Sequence, residues 1–151
     1  MLAIRKLEHN DFQSLLIIET ESFIDGYSPY FIKMIPILFG NTSYISIKEH
    51  IPQGYVTAAI EQGNPRRAWI LSLAVRPQFR QQGIAKALLE TALNTLMDSG
   101  VWEVLLSVAP DNNPALALYM QHGFIACEKV SDYYGPGEDR IIMRKSYSNE
   151  K

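Results

Sequence analysis

The stretch AWILSLAV (68–75) is apolar at every position but one, and it constrains the fold more than any other part of the chain. A strand with no polar face is buried on both sides, which places it in the interior of a sheet with cover on each face. It runs into a short polar loop, RPQFRQQG (76–83). From Gly83 to Leu96 the residues Leu88, Leu89, Ala92, Leu93 and Leu96 recur at helical spacing, and Ser99-Gly100 stops the run. A strand, a loop and a helix therefore form the centre of the chain.

The flanks extend this pattern. LAIRKL (2–7) alternates as a first strand, and His9-Asn10-Asp11 offers polar caps for a helix whose inner stripe is Phe12, Leu15, Leu16 and Phe23. GYSPYF (26–31) is a turn signal, and FIKMIPILF (31–39) reads as a second short helix disturbed by Pro36. SYISIKE (43–49) and GYVTAAIEQ (54–62) make a hairpin joined by a polar link containing Pro52, with Pro65 ending the next loop. VWEVLLSV (101–108) is another buried strand, and Pro114–Gln121 is a short helix ended by Gly123. FIACEKV (124–130) and DRIIMRK (139–145) are the last two strands, around the loop YYGPGED. The order is strand, two helices, three strands, helix, strand, helix, two strands: a mixed α/β layer fold. With 151 residues and no repeat or linker, a single domain over 1–151 is expected.

Charge and composition exclude several functions. A net charge of -2 without a basic stripe gives no reason to expect nucleic acid. Cys127 is the only cysteine, so no internal disulfide forms, and His9, His50 and His122 show no ligand spacing, so no metal is expected. The start, MLAIRKLEHNDF, reaches charge within five residues and lacks a signal peptide's apolar core. No apolar run approaches the ~20 residues of a membrane span, so no membrane role is expected and a reducing cytoplasm is the default compartment.

The loop carries a charge anomaly. A strand–loop–helix junction aims unpaired N–H groups and the positive end of a helix dipole at whatever lies in front of it. Gly83 and the slim Ala85 leave room for a bulky anion, while Arg80 and Lys86 add positive charge where the dipole favours acidic residues. Either an anion uses this charge, or Gly83 is a tight turn with solvated cations around it. The loop fits neither the phosphate-loop nor the dinucleotide glycine pattern, which argues against a nucleoside triphosphate or NAD.

Arg80-Gln81-Gln82-Gly83-Ile84-Ala85 resembles the Arg/Gln-x-x-Gly-x-Gly/Ala signature of the GNAT superfamily of N-acetyltransferases. Asn112-x-x-Ala115-x-x-Leu118-Tyr119-x-x-x-Gly123-Phe124 is similar to that family's second block, at the usual distance. The resemblance spans most of the chain and implies a mixed, mostly antiparallel sheet of about seven strands flanked by about four helices. It also implies acetyl-CoA as donor. Arg80, Gln81, Gly83, Ile84, Ala85 and Lys86 would surround its pyrophosphate. The backbone of Leu73, Ala74 and Val75 would pair with the pantetheine arm, and Asn112 would touch the cofactor, with a plain helix N-cap as the alternative for that residue.

By the same resemblance Tyr119 is the general acid near the CoA sulfur and the Val75 N–H an oxyanion donor. A thiol near ~8.5 and a phenol near ~10 would be roughly matched in that transfer. The base is less defined. Ser107 stands where ribosomal-protein acetyltransferases carry a glutamate, and Asp25 falls where related protein N-terminal acetyltransferases place an acidic residue. Water is the rival to Asp25, and Glu19 and Glu21 are neighbours that read as solvated. Tyr133 and Tyr134, before Gly-Glu-Asp and an apolar strand, resemble the end of protein N-terminal acetyltransferases, where paired tyrosines close over the first substrate residues; Tyr27 and Tyr30 would line the opposite wall. At pH 7 roughly a tenth of an α-amine is neutral, against about one lysine side chain in several thousand, so a site with a weak base favours α-amines.

The resemblance is nearest to the branch acetylating protein N-termini, including ribosomal-protein alanine. It implies an acetyltransferase for a protein or peptide N-terminal α-amine. A small-molecule amine acetyltransferase and a non-catalytic acyl-CoA-binding regulatory module remain alternatives. Many relatives dimerise through their late strands, which leaves a homodimer open.

Overall fold

The structure is a computed structural model and describes residues 3–23 and 26–147. The described elements follow the expected order: β1 (Ile4–Lys6), α1 (Phe12–Ser22), α2 (Pro29–Phe39), β2 (Tyr44–Lys48), β3 (Ile51–Ile60), β4 (Arg67–Val75), α3 (Ile84–Asp98), β5 (Glu103–Val108), α4 (Asn113–Gln121), β6 (Ile125–Val130) and β7 (Arg140–Ser146). The strands form one seven-stranded sheet in the order β1-β2-β3-β4-β5-β7-β6. β1 with β2, β2 with β3, β5 with β7 and β6 with β7 are antiparallel. β4 and β5 are parallel, pairing Arg67–Trp69 with Glu103–Leu105, and α3 provides the crossover that a parallel pair requires. This is the mixed, mostly antiparallel architecture with four helices that the sequence led us to expect.

The chain divides into two compact units. The first comprises Met1–Ala59 and Leu71–Ser99. Its core joins Leu15 and Ile18 of α1, Ile32 and Ile35 of α2, Ile45 of β2, Tyr55 of β3 and Ala74 of β4. α3 buries Ile84, Leu88, Leu89, Ala92, Leu93 and Leu96, the stripe read from its 3.6-residue period. The second unit comprises Ile60–Ile70 and Gly100–Lys151, with Val104, Leu106, Val108, Phe124 and Met143 among its buried residues.

Three local readings are corrected. In α1, Leu15 is buried and Phe12 and Leu16 pack partly buried against the core as expected, but Ile18 and Glu19 complete the buried stripe and Phe23 lies exposed beyond the helix end. α2 starts at Pro29, two residues earlier than expected, because the Ser28 hydroxyl accepts the Phe31 N–H at 3.3 Å and proline suits the first helical position. Pro36 is buried inside α2, which continues to Phe39. Finally, the β2–β3 link is only Glu49-His50, both at positive φ (52° and 67°), as a two-residue hairpin turn of this hand requires. Pro52 belongs to β3, opposite Ile47, where the register shifts between Ser46 and Ile47.

Asp11 does not cap α1 through a side-chain hydrogen bond. Its carboxylate instead accepts the Glu8 N–H at 2.8 Å and both arms of the Arg5 guanidinium at 2.8 Å, closing the single 3-10 turn His9–Asp11. Burial pushes the acid's pKa up, but the Arg5 and Glu8 hydrogen bonds outweigh it and the net shift is downward. A carboxyl whose folded pKa lies below its unfolded value of about 3.9 stabilises the fold above that pH and loses the contribution as pH falls through the folded value. Asp11→Asn should therefore cost about 1–3 kcal/mol in urea denaturation at pH 7. The gap to the wild type should close below pH ~3.9.

Candidate active site

The loop after β4 reverses direction in two left-handed steps, Gln81 at φ 63° and Gly83 at φ 82°. Arg80 fastens it, donating from Nε to the Val75 carbonyl at 2.9 Å. Gly83 is the N-cap of α3, with no side-chain cap and no acidic residue in the first turn. A Cβ on Gly83 would meet nothing within 4 Å, so the approach to the helix start is open. Arg80, Gln81, Gly83 and Lys86 are exposed, Ala85 is half-buried and Ile84 is buried, so only the backbone of Ile84 can serve a ligand. Uncapped helical N–H groups beside two cations make a site for an anion rich in oxygen. In the strand before it, Ala74 and Val75 are buried and Leu73 is half-buried.

Tyr119 and Asn112 belong to the second unit. Tyr119 is 8% exposed and packs edge-on against Phe124, with ring centroids 5.7 Å apart. Burial pushes its hydroxyl up to about 12. This corrects the expectation of an ordinary phenol roughly matched to a thiol, because complete proton transfer to a thiolate is now uphill. The hydroxyl remains a hydrogen-bond donor at every physiological pH. Asn112 is the N-cap of α4, its Oδ1 accepting the Ala115 N–H at 3.3 Å. The plain alternative reading is therefore realised, and a cofactor contact would fall to the amide nitrogen.

Ser107 does not stand alone. Its hydroxyl lies 3.0 Å from the Tyr134 hydroxyl. The Tyr134 ring packs edge-on against Tyr133 at 4.7 Å, and the Arg140 guanidinium lies 5.1 Å from the Tyr134 ring centre. Tyr133 and Tyr134 thus form one aromatic group at the end of the β6–β7 hairpin. In the first unit Tyr27 packs on Phe31 at 4.7 Å and donates its hydroxyl to the Leu71 carbonyl of β4 at 2.8 Å. Tyr30 is not in a loop: it lies on α2 and is 87% exposed.

Asp25 lies outside the described residues. Of its neighbours, Glu21 forms a two-armed ion pair with Arg76 at 3.0 Å, and that hydrogen bond holds its carboxyl below the ordinary value, which disqualifies it as a base. Glu19 is 3% exposed, contrary to the solvated reading. It accepts the Tyr55 hydroxyl at 2.6 Å and the Tyr27 N–H at 2.8 Å. Sequence reasoning missed it, although its i+4 spacing from Leu15 and its place beside Ile18 set it on the inner stripe. Among the described residues no group of histidine, cysteine and carboxylate side chains could hold a metal, and no helix is long and apolar enough to cross a membrane.

Residues 4–124 match the model of the acetyltransferase (GNAT) family. The chain belongs to that family. It is 27% identical to an N-alpha-acetyltransferase of Saccharolobus solfataricus, over 94% of this chain and 91% of the relative. Among solved structures it resembles the ribosomal-protein-S18-alanine N-acetyltransferase from Escherichia coli, with 25% identity and a TM-score of 0.86 over 100% of this chain and 97% of the other. It also resembles a chain of the NatC complex bound to Gag peptide and CoA, with 25% identity and a TM-score of 0.87 over 97% and 99%. This chain is accordingly an acetyl-CoA-dependent N-acetyltransferase.

For this acetyltransferase the open helix start gives a direct test. Gly83→Glu adds a Cβ that meets no neighbour, at a conformational cost of about 1–2 kcal/mol, and the protein should stay folded. Its carboxylate would oppose a pyrophosphate and remove close approach, so calorimetric CoA affinity should fall by roughly a hundredfold or more. An unchanged affinity would make the loop a simple turn.

Proposed function

We propose that residues 1–151 act as a single acetyltransferase domain that moves the acetyl group of acetyl-CoA directly onto the α-amine of a protein or peptide N-terminus. The observation that carries the acceptor class is the near full-length similarity to a protein named N-alpha-acetyltransferase. The paired tyrosines Tyr133 and Tyr134, with Tyr27, are the aromatic groups assigned to the acceptor. Tyr30, exposed on α2, would reach an acceptor only from the solvent side.

In the proposed reaction the neutral amine attacks the thioester carbonyl carbon and a C–N bond forms. The backbone N–H of Val75 receives the oxyanion. The amine proton passes to Asp25 or to water. The C–S bond then breaks and CoA leaves as thiolate, with Tyr119 donating a hydrogen bond to the sulfur. Because the Tyr119 hydroxyl titrates only at about 12, the transition state draws on its hydrogen bond and full proton transfer is not required. Backbone N–H groups at the start of α3, with Arg80, Gln81 and Lys86, hold the pyrophosphate. Leu73, Ala74 and Val75 offer their main chain to the pantetheine, and Asn112 its amide nitrogen to the cofactor. The motif match supports these roles, and the open N-terminus of α3 is the feature of the fold most in keeping with them.

CoA release measured over a set of amines decides the acceptor. Peptides with free amino termini should turn over, while N-blocked peptides with an internal lysine, and polyamines, should not; equal turnover would remove the α-amine preference. Tyr119→Phe should lower kcat by about a hundredfold with CoA affinity unchanged, and unaltered turnover would show the acid to be misassigned. The pH profile of kcat/KM should rise to about pH 8 as the α-amine loses its proton and then stay flat to about pH 10, because Tyr119 is still protonated there. A fall between pH 8 and 10 would contradict the assignment.

A further inference from the structure

Glu19 is a buried carboxylate that the transfer chemistry does not use. Both of its oxygens are committed, Oε1 to the hydroxyl of the fully buried Tyr55 on β3 and Oε2 to the backbone N–H of Tyr27. The Tyr27 hydroxyl in turn donates to the Leu71 carbonyl, two residues before the strand segment Leu73–Val75. Tyr27 is thus held twice, by its backbone to α1 and by its side chain to β4. Gly26 allows this approach: a Cβ there would come within 2.5 Å of Glu19 Oε2. Glu19 and Tyr27 also line a cavity of about 460 Å3 with Leu16, Thr20, Phe23 and Ser28.

A carboxylate is a costly way to fill a core position. An apolar side chain would serve packing better, and a buried polar group needs hydrogen-bond partners. What the two-headed polar end of this side chain supplies is simultaneous contact with two converging groups, one from the sheet and one from the loop. The residue is thus chosen for where it holds the loop.

We propose that Glu19, backed by Tyr55, is a positioning residue for the acceptor: it fixes Gly26–Ser28 and the Tyr27 ring against β4, so that the incoming amine meets a preformed wall. This rests on the α-amine acceptor reading for its kinetic consequence, though not for the structural hold itself.

The test compares Glu19→Ala and Glu19→Gln in the full chain, using a peptide with a free amino terminus, CoA calorimetry and amide hydrogen exchange. Glu19→Ala should raise peptide KM by about tenfold or more, with a smaller fall in kcat and CoA affinity within about twofold. Amides of 26–28 should exchange faster while those of 84–87 do not. Glu19→Gln should recover most of the peptide KM, because its amide oxygen can accept the Tyr27 N–H while its NH2 donates to the Tyr55 hydroxyl. An unchanged KM, a parallel loss of CoA affinity, or no recovery with glutamine would overturn the proposal. If Glu19→Ala does not fold, Tyr55→Phe replaces it, with a weaker KM effect in the same direction expected and an unchanged KM again overturning the idea. Should the wild type use no peptide at all, the acceptor reading fails, and exchange alone judges Glu19: acceleration confined to 26–28 upholds the hold, and uniform exchange refutes it.

Discussion

The reversal of the backbone between β4 and α3 is the constraint on which the donor side depends. The chain must leave a buried strand and enter a 15-residue helix through a short loop, with the first turn of that helix left uncapped. Gln81 accepts a left-handed conformation that favours glycine, and Gly83 takes the second such step. The Arg80–Val75 hydrogen bond ties the loop to the strand end, so the charge is placed by the backbone rather than left on a mobile side chain. The six buried residues of α3 hold the helix start in place. Positive charge at a helix N-terminus opposes the dipole by a few tenths of a kcal/mol to about 1 kcal/mol per group, and an anionic ligand reverses that sign.

The elements legible in the sequence were those whose signal is periodic. β4 and α3 were read to within a residue or so because an unbroken apolar run and a 3.6-residue stripe survive any tertiary context. Some readings that relied on local rules were less accurate. The second helix was read through Pro36 to Phe39, as found, but its start was set two residues late because Pro29 was taken as part of a turn. The β2–β3 turn uses Glu49-His50 at positive φ, without the glycine or asparagine that would have marked it. Of the candidate site, the Arg80–Lys86 loop stood out by its positive charge at a helix start, while Asn112 and Tyr119 came only from the family resemblance. Glu19 was hidden although the expected stripe of Phe12, Leu15, Leu16 and Phe23 held Leu15 one turn before it, because a glutamate is read as solvent-facing until its neighbours on the stripe are counted.

The acceptor side is organised by hydroxyl and aromatic groups. Ser107, standing where related enzymes carry a carboxylate, hydrogen-bonds to Tyr134, and Tyr134 is further fixed by Tyr133 and Arg140. On the other unit, Glu21 is paired with Arg76 and Glu19 is occupied by two hydrogen bonds. Carboxylates near α1 are thus spent on structure, and the chemistry is left with little basicity among the described residues.

The burial of Tyr119 bears on the proposed acceptor. A phenol that titrates at about 12 is a poor acid but a persistent donor, so in the proposed mechanism it would stabilise the leaving sulfur by a directed hydrogen bond whose strength grows as charge develops. A site working in this way needs the nucleophile to arrive already neutral. An α-amine does so in useful proportion at pH 7, whereas a lysine side chain would require the removal of about 4–5 kcal/mol of protonation free energy, a task for a strong base. Weak basicity, held aromatic walls and a buried hydrogen-bond donor are consistent with one another only if selectivity comes from placing the amine. On that proposal the hold of Glu19 on Tyr27 serves the placing of the amine.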